Sequence, residues 1–178
     1  FVEFSATSSG VKEIREAADH ARNERKLYGR GTVVFCDEIH RLNKGQQDAF
    51  LPFVEDGVFA LIGATTENPY FEINAPLLSR CLVARLEPLS DEDLLQLIER
   101  ALTDEERGLG DRPIDLRPEA RAVLVRAANG DARRALGALE QAAFLAPYDS
   151  EGTAIIDAEV ATQATQQRLV LYDKSGQA

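Results

Sequence analysis

Residues 32–41 read TVVFCDEIHR and contain the pattern that decides the fold. A continuous apolar run, Val33 to Cys36, is ended by two adjacent acids, Asp37 and Glu38. Such a run is typical of a strand that is buried on both faces of a parallel sheet. Ligands of open α/β sheets bind at the carboxyl ends of these strands, and two neighbouring carboxylates there repel each other and favour a nearby cation. We therefore predict a cation-associated site at this edge. The alternative is a strand that ends in two solvated acids.

The sequence around this run alternates between strand-like and helix-like segments. Strands are predicted at residues 1–6, 32–36, 58–64 and 81–86, and helices at about 10–29, 43–55 and 75–79. Ser9 is the expected cap of the first helix, and Asn43 with Gln46 forms a capping-box-like pair at the second. Strands that alternate with helices predict an α/β layered domain with parallel strands.

Beyond Leu89 the composition changes and no strand signal remains. Apolar residues at helical spacing predict helices that contain residues 94–102, 120–127, 136–143 and 157–166, with a polar loop at 103–115. Ser90 and Asp131 are the expected caps of two of these helices, and Asn129 with Gly130 is the expected end of another. We therefore predict an all-α subdomain after the sheet.

Composition limits the classes of function. With 178 residues and 44% hydrophobic residues, the chain forms one domain, or one domain with a small appendage. A formal net charge of −10 argues against a broad basic surface for nucleic acid, although it leaves room for a few arginines in a channel. No apolar run approaches the length of a membrane span, and no signal peptide is visible.

The few cysteines and histidines do not predict a metal centre. Cys36 and Cys81 both fall in apolar, strand-like runs, so we interpret them as buried free thiols of a reducing compartment. His40 lies far along the sequence from His20 and has no supporting ligand spacing, which does not favour a metal ligand.

Five further polar residues are candidates for chemistry. Thr65 and Thr66 end a strand parallel to the strand that ends in Asp37. A hydroxyl at that position can hold an attacking water or a terminal phosphate; the alternative is that it caps the following turn. Arg80 stands just before a predicted strand; the alternative is a solvated arginine at a helix end. Arg133 and Arg134 lie in the first turns of a helix, where a cation opposes the helix dipole, so an anion is a candidate partner and a surface role the alternative.

Taken together, these segments resemble AAA+ ATPases, and within them the replication-associated recombination protein A family, whose eukaryotic relative is the Werner-helicase-interacting protein. The stretches that carry the resemblance span nearly the whole chain in the family's order: FVEFSATSSGVKEIREAADHAR, VVFCDEIHRLNKGQQDAFLPFVEDG, LIGATTENPYFEINAPLLSRC, GDARRALGALEQA and LVLYDKSG. The strand with its two acids matches the Walker B motif, which alone is a weak signal. The succession of GATTENP, SRC and GDARRAL behind it is specific. Clamp-loader subunits share this outline, but ATTENPYFEIN and the closing LYDKSG resemble the recombination family.

The resemblance implies roles for residues of the sheet and ATP with Mg²⁺ as cofactors. Asp37 matches the acid that associates with Mg²⁺, and Glu38 matches the catalytic base. Thr66 matches the sensor 1 position, with Thr65 and Asn68 as its neighbours at the nucleotide.

Two arginines complete the implied site. Arg80 matches the arginine finger, which completes the site of an adjacent subunit. Arg133 matches the sensor 2 arginine of the lid, which contacts the γ-phosphate.

The main departure from the family is an absent motif. The phosphate-binding Walker A loop, G-x-x-x-x-G-K-[ST], does not occur in this sequence, and the sequence contains no methionine. We therefore expect an internal fragment with an α/β fold class: a partial AAA+ P-loop parallel sheet with flanking helices, followed by an all-α lid. Residues 1–88 are the expected partial core with Walker B, sensor 1 and the arginine finger. Residues 89–147 are the expected lid with sensor 2, and 148–178 the lid end and a linker towards an oligomerisation domain.

The function implied by the resemblance is that of a DNA-dependent ATPase in replication-fork maintenance, recombination and repair. Its expected partners are DNA forks, ends or junctions, further copies of itself, and single-strand-binding protein or replisome components, in the cytoplasm near the nucleoid and without a membrane. The fragment alone is expected to be inactive. Two alternatives stay open, a clamp-loader-type AAA+ subunit and a non-catalytic AAA+-like interaction module.

Overall fold

The chain folds into two compact units, Phe1–Arg85 and Leu86–Ala178. The structure, a computed structural model, describes residues 1–6 and 10–175. The expected helix cap Ser9 and the last residues of the expected linker, 176–178, lie outside the described residues.

The first unit is built on a three-stranded parallel sheet with the strand order β1-β2-β3. Its strands are β1 (Val2–Ser5), β2 (Val33–Asp37) and β3 (Ala60–Gly63). Its helices are α1 (Val11–Tyr28), α2 (Lys44–Asp48), α3 (Leu51–Glu55), α4 (Pro69–Glu72) and α5 (Ala75–Leu78), and a 3₁₀ turn spans Ile39–Arg41. The strand with the two acids, β2, is therefore central, and its carboxyl end is flanked by those of both neighbours.

Aromatic rings form the centre of the first unit's core. Phe50 is fully buried and meets Phe4 and Phe59 edge to face, with ring centroids 5.5 Å and 6.3 Å apart. The helix predicted over 43–55 is divided into α2 and α3 at this residue. Pro52 explains the division, because proline lacks an N–H and is tolerated only in the first turn of a helix.

The predicted fourth strand, residues 81–86, is wrong. Residues 82–90 have no regular secondary structure, and the side chains of Leu82 and Leu86 are 94% and 91% exposed. A strand exists only where a neighbour supplies ladder hydrogen bonds. Among the described residues β3 pairs with β2 alone, and no strand pairs with this apolar segment.

The second unit contains four longer helices and a small parallel sheet. Its helices are α6 (Asp91–Thr103), α7 (Pro118–Ala128), α8 (Ala132–Leu145) and α9 (Ala158–Ser175), and its strands are β4 (Ile114–Leu116) and β5 (Ala154–Ile156). The expectation of an all-α subdomain without strands is therefore corrected. Two strands of three residues are too short to show the alternating pattern by which a strand is recognised in sequence.

Local signals set the helix ends of the second unit as predicted. The Ser90 hydroxyl accepts the Asp93 N–H at 3.1 Å, and the Asp93 carboxylate accepts the Ser90 N–H at 3.1 Å, which is a reciprocal capping box. Asn129 and Gly130 adopt left-handed conformations, with φ of 48° and 79°, and end α7. In the described part of the chain, no helix is both long and apolar enough to cross a membrane.

Candidate functional site

The carboxyl ends of β2 and β3 are joined beyond the strands themselves. The Ala64 N–H donates to the Cys36 carbonyl at 2.9 Å, and the Ile39 N–H donates to the Ala64 carbonyl at 3.0 Å. These bonds hold the residues that follow β2 against the residues that follow β3. The two acids and the two threonines therefore lie at the same edge of the sheet, after neighbouring strands.

Asp37 is the last residue of β2, and its side chain is exposed at this edge. Its Oδ1 accepts the N–H of Glu38 at 3.0 Å. The preceding Cys36 points into the core, and burial, with a contribution from the Asp37 charge, raises the pKa of its thiol to about 12. A thiol with this pKa stays protonated at neutral pH, so Cys36 is a core residue rather than an ionised nucleophile.

Glu38 has an unusual backbone conformation for a residue with a side chain. Its φ of 53° and ψ of 41° are left-handed, and Asn129 is the only other non-glycine residue with positive φ in the described part of the chain. Such strain persists where surrounding contacts hold it, and it often occurs at functional sites. Here the Glu38 Oε2 lies 3.3 Å from Nε2 of His40 and 3.8 Å from Nε of Arg41.

His40 is a member of this site that the sequence analysis considered only as a metal ligand. Its side chain is 16% exposed, and its Nδ1 lies 2.8 Å from the Thr65 hydroxyl. The same hydroxyl accepts the N–H of Glu67 at 3.0 Å. The signal in the sequence is a histidine two residues after the second acid, but its partner Thr65 is 25 residues away and is identified only by the fold.

The remaining residues of the ATTENP stretch take different positions. Thr65 caps the turn after β3, as one of its two interpretations proposed, while Thr66 is exposed at the edge. The Asn68 side chain accepts the N–H of Tyr70 at 3.0 Å and caps α4. Thr66 is therefore the better placed of the two hydroxyls to meet a ligand.

A buried amide braces the short helices that follow. Gln47 is 1% exposed, donates to the carbonyls of Leu42 at 3.0 Å and Glu72 at 3.1 Å, and accepts the N–H of Asn74 at 2.8 Å. The side chain of Asn74 donates to Asp48 at 2.6 Å. These contacts fix α2 to α4 and α5, and α5 leads directly to Arg80.

Arg80 is held by its own unit. Its guanidinium pairs with Glu55 on α3 and donates to the Pro76 carbonyl at 2.7 Å and to the Ser79 hydroxyl at 3.1 Å. The side chain remains 40% exposed, so the guanidinium is available to solvent while it is oriented. Cys81, the next residue, is exposed, and the prediction that it is buried is wrong because the strand predicted around it does not form.

Arg133 belongs to the second unit, where it is exposed in the first turn of α8. The helix is capped by Asp131, whose carboxylate accepts the N–H of Arg134 at 3.0 Å. That hydrogen bond is the main reason why the pKa of Asp131 lies below its usual value. The expected pair of arginines at this helix start is therefore present, beside an ionised cap.

A central parallel strand that ends in two adjacent acids, with two hydroxyl residues after the next strand and an oriented arginine further along the chain, is the arrangement expected of part of an AAA+ core. Solved structures agree on the fold. The chain matches the Thermotoga maritima RuvB Holliday junction branch migration motor with a TM-score of 0.67 at 21% identity, over 93% of this chain and 52% of that chain.

Curated relatives identify the family. The chain is 49% identical over 172 residues to replication-associated recombination protein A of Escherichia coli K12, and 38% identical over 178 residues to that of Bacillus subtilis. It is also 49% identical over 138 residues to the ATPase WRNIP1 of Dictyostelium discoideum. A family model described as the AAA C-terminal domain matches residues 110–178.

The chain belongs to the replication-associated recombination protein A family of AAA+ proteins. The match to the Escherichia coli relative covers 97% of this chain but only 38% of that protein, and the match to the Bacillus subtilis relative covers 100% of this chain but only 41% of that protein. The match to the Dictyostelium protein covers 78% of this chain and 16% of that protein. The fold class and the family expected from the sequence are thus confirmed. The roles of individual residues and the division into core, lid and linker stay predictions.

Proposed function

We propose that this chain is the second half of an ATPase core with its lid, within a longer protein that hydrolyses ATP to remodel DNA during replication-associated recombination and repair. The observation that carries the proposal is the pair Asp37 and Glu38 at the carboxyl end of the central strand, beside the residues after β3 that include Thr65 and Thr66. The names of the relatives supply the DNA process. The longer protein, which would also supply the phosphate-binding loop, is called the full-length protein below.

In this proposal Glu38 accepts a proton from the water that attacks the γ-phosphate, and Thr66 binds that water or the phosphate, with Thr65 and Asn68 shaping the loop around it. General-base catalysis of this kind contributes roughly 10²–10⁴-fold to a rate. The half-exposed carboxylate of Glu38 suits the role, since it lies at the sheet edge and its Oε2 is held by His40 and Arg41.

Asp37 is the proposed ligand for Mg²⁺. The donor chemistry fits, because Mg²⁺ prefers oxygen ligands and is usually bound through one or two carboxylates together with substrate phosphates and water. Among the described residues no group of three His, Cys, Asp or Glu side chains forms a cage of its own for a metal. An ion shared with a nucleotide is consistent with one exposed carboxylate at this edge. The ion would neutralise charge on the phosphates.

The two arginines extend the proposal to an assembly. Arg80 would contact the γ-phosphate in an adjacent copy of the protein, and Arg133 would contact the nucleotide from the lid. Arg80 is oriented by Glu55 and the Pro76 carbonyl without being buried, which suits a group that acts on a neighbour. The proposal also includes assembly with further copies of the same protein and DNA forks or junctions as substrates. It includes replisome partners and a location at the nucleoid as well.

The test replaces the acids one at a time in the full-length protein. Glu38→Gln is expected to bind ATP with Mg²⁺ normally and to lose at least about 100-fold in kcat, since the amide cannot accept a proton at neutral pH. Asp37→Asn is expected to weaken Mg²⁺-dependent binding as well. Glu16→Gln, an exposed acid on α1, is the control that should leave both unchanged. Equal loss of binding in the two variants at the site would contradict the assigned roles.

This chain without a phosphate-binding loop is expected to bind ATP poorly, because backbone N–H groups and the lysine of that loop supply most phosphate contacts in such proteins. Titration of the purified chain with labelled ATP and Mg²⁺ checks this. Micromolar affinity would show that the described residues bind nucleotide by themselves and would refute the expectation.

A further inference from the structure

A continuous chain of polar contacts runs from the turn after β3 to the carboxylate of Glu38. The N–H of Glu67 donates to the Thr65 hydroxyl at 3.0 Å, that hydroxyl lies 2.8 Å from Nδ1 of His40, and Nε2 of His40 lies 3.3 Å from Oε2 of Glu38. Both ring nitrogens of His40 are therefore used. The ring connects the loops that follow two neighbouring strands.

The contact of His40 with the Thr65 hydroxyl is a hydrogen bond, whereas Nε2 of His40 and Oε2 of Glu38 lie at ion-pair distance, and the chemistry of these groups sets where the ring proton lies. A carboxylate accepts only, so a favourable contact with Glu38 requires a proton on Nε2 of His40. In a neutral ring Nδ1 is then an acceptor, and the Thr65 hydroxyl donates to it. The hydroxyl retains acceptor capacity for the Glu67 N–H, so every member of the chain has a complementary partner.

We propose that His40 is a positioning residue for Glu38: it holds the carboxylate through Nε2–H, and the Thr65 hydroxyl orients its ring through Nδ1. The need for such support follows from the backbone. Glu38 lies in a left-handed conformation between the strand β2 and the 3₁₀ turn Ile39–Arg41. The ring of His40 is mostly shielded from solvent, so it can hold a neighbouring side chain in place.

The assignment gives Thr65 and Thr66 different tasks. The Thr65 hydroxyl is already engaged by His40 and by the Glu67 N–H, and through His40 it acts on Glu38. Thr66 is exposed and remains the candidate for direct contact with the nucleotide. The inference rests on the proposed role of Glu38 as the base, and its tests separate the two.

The first test uses steady-state kinetics of the full-length protein. His40→Ala is expected to lower kcat by about 10-fold to 100-fold, the range typical of outer-shell partners that orient a reacting group, with little change in KM for ATP. His20→Ala, the other histidine, is exposed on α1 and serves as the control with unchanged kinetics. Unchanged kcat in His40→Ala would overturn the inference.

A pair of amide variants separates positioning from general damage to the turn. In His40→Gln the amide nitrogen occupies roughly the position of Nε2 and can still donate to Glu38, whereas the shorter side chain of His40→Asn reaches only as far as Nδ1. We expect His40→Gln to recover most of kcat and His40→Asn to remain close to His40→Ala. Equal kcat in the two amide variants would contradict the proposal, because a purely structural role does not distinguish them in this way.

The second test reads the ring directly and does not depend on activity. The ¹⁵N shifts of the His40 ring, in the full-length protein with labelled histidine and assigned by loss of the signal in His40→Gln, are expected to show the proton on Nε2. Thr65→Val should change the Nδ1 signal, and Thr65→Ser should restore it. A neutral ring protonated only at Nδ1 would overturn the inference. If instead Glu38→Gln keeps full hydrolysis, the proposed function fails while the ring measurement still stands.

Discussion

The first unit presents polar side chains at an open sheet edge, whereas the second unit buries apolar side chains between helices. At the edge, His40 contacts both Glu38 and Thr65, and all three side chains are accessible to some degree. In the second unit, Leu94, Leu124 and similar side chains are completely buried. The buried members of this second core are Leu94, Ile98, Leu116, Ala120, Leu124, Val125, Ala128, Ala135, Ala138, Leu139, Ala142, Ala143, Ala146, Ala154, Ile156, Ala161 and Ala164.

This difference indicates that the polar side chains of the sheet edge and the apolar side chains of the helical core have different roles. Side chains at the edge contribute few buried apolar contacts, so replacing them should change chemistry more than stability. Side chains of the helical core are apolar and buried, so replacing them should change the free energy of unfolding. Gln47 is the expected exception, because it is a buried polar residue of the first unit.

The largest effect is expected for Arg80 in the full-length protein. Arginine fingers act on the charge of the transition state and are worth roughly 10³–10⁵-fold in kcat, so Arg80→Ala should hydrolyse ATP very poorly while it binds ATP nearly normally. Arg30→Ala, another exposed arginine of the first unit, is the control that should keep its activity. Steady-state hydrolysis and nucleotide titration check both.

A mixing experiment determines whether Arg80 acts across a subunit boundary. Full-length Arg80→Ala and Glu38→Gln, each inactive, are combined, so that some interfaces pair an intact site with an intact arginine. Activity should rise above that of either parent and should depend on protein concentration. If nothing is recovered although the subunits exchange, Arg80 acts within its own subunit or is a surface residue.

The next effect is expected in the core of the second unit. Leu139→Ala removes a side chain that is 1% exposed and leaves a cavity, which typically costs about 2–5 kcal/mol. Phe144→Ala on the same helix is the matched control, because Phe144 is 81% exposed and surface changes usually stay within about 0.5 kcal/mol. Denaturant unfolding measures both. Similar losses for the two variants would mean that this helix is not packed as described.

Gln47 is a polar residue of the first unit whose replacement should lower stability. Gln47→Leu fills a similar volume but leaves the N–H of Asn74 and the carbonyls of Leu42 and Glu72 without this partner. An unsatisfied buried polar group costs about 1–3 kcal/mol, so a polar residue here should matter for stability as a core residue does. Its half-exposed neighbour Gln46, replaced by alanine, should cost less than Gln47→Leu when unfolding is followed by denaturant titration.

The smallest effect is expected at the cap of α8. Asp131→Ala should cost about 1 kcal/mol, the usual value for loss of an N-cap. Because the Arg134 N–H holds the pKa of Asp131 below its usual value, the charged cap stabilises the folded state above about pH 4 and loses this contribution as pH falls through the folded pKa. Asp131→Asn keeps a cap without titration, so the difference from the unaltered protein should shrink in acid. A constant difference down to pH 2 would contradict this account.

Much of the first unit is predictable because its signals are local. The strand before Asp37, the capping box of Asn43 with Gln46, and the end of the first helix near residue 29 each follow from neighbouring residues, and the structure confirms them. The order of the strands is not local, but alternating strands and helices restrict the sheet to parallel pairing. The acids at the sheet edge could therefore be placed before any contact was known.

The sequence by itself determined the class of fold, the family, the caps Asn43, Ser90 and Asp131, and the edge at which Asp37 and Glu38 lie, because each depends on spacing within a few residues or on motifs in order. Only the tertiary structure decided that 81–86 is not a strand, since pairing requires a neighbour that composition cannot supply. It also decided the short pair β4 and β5, and the contacts of His40 with Thr65 and of Gln47 with Asn74, which are 25 and 27 residues apart. A hydrogen bond depends on a distance of about 3 Å and on direction, and over such separations only the packed fold sets them.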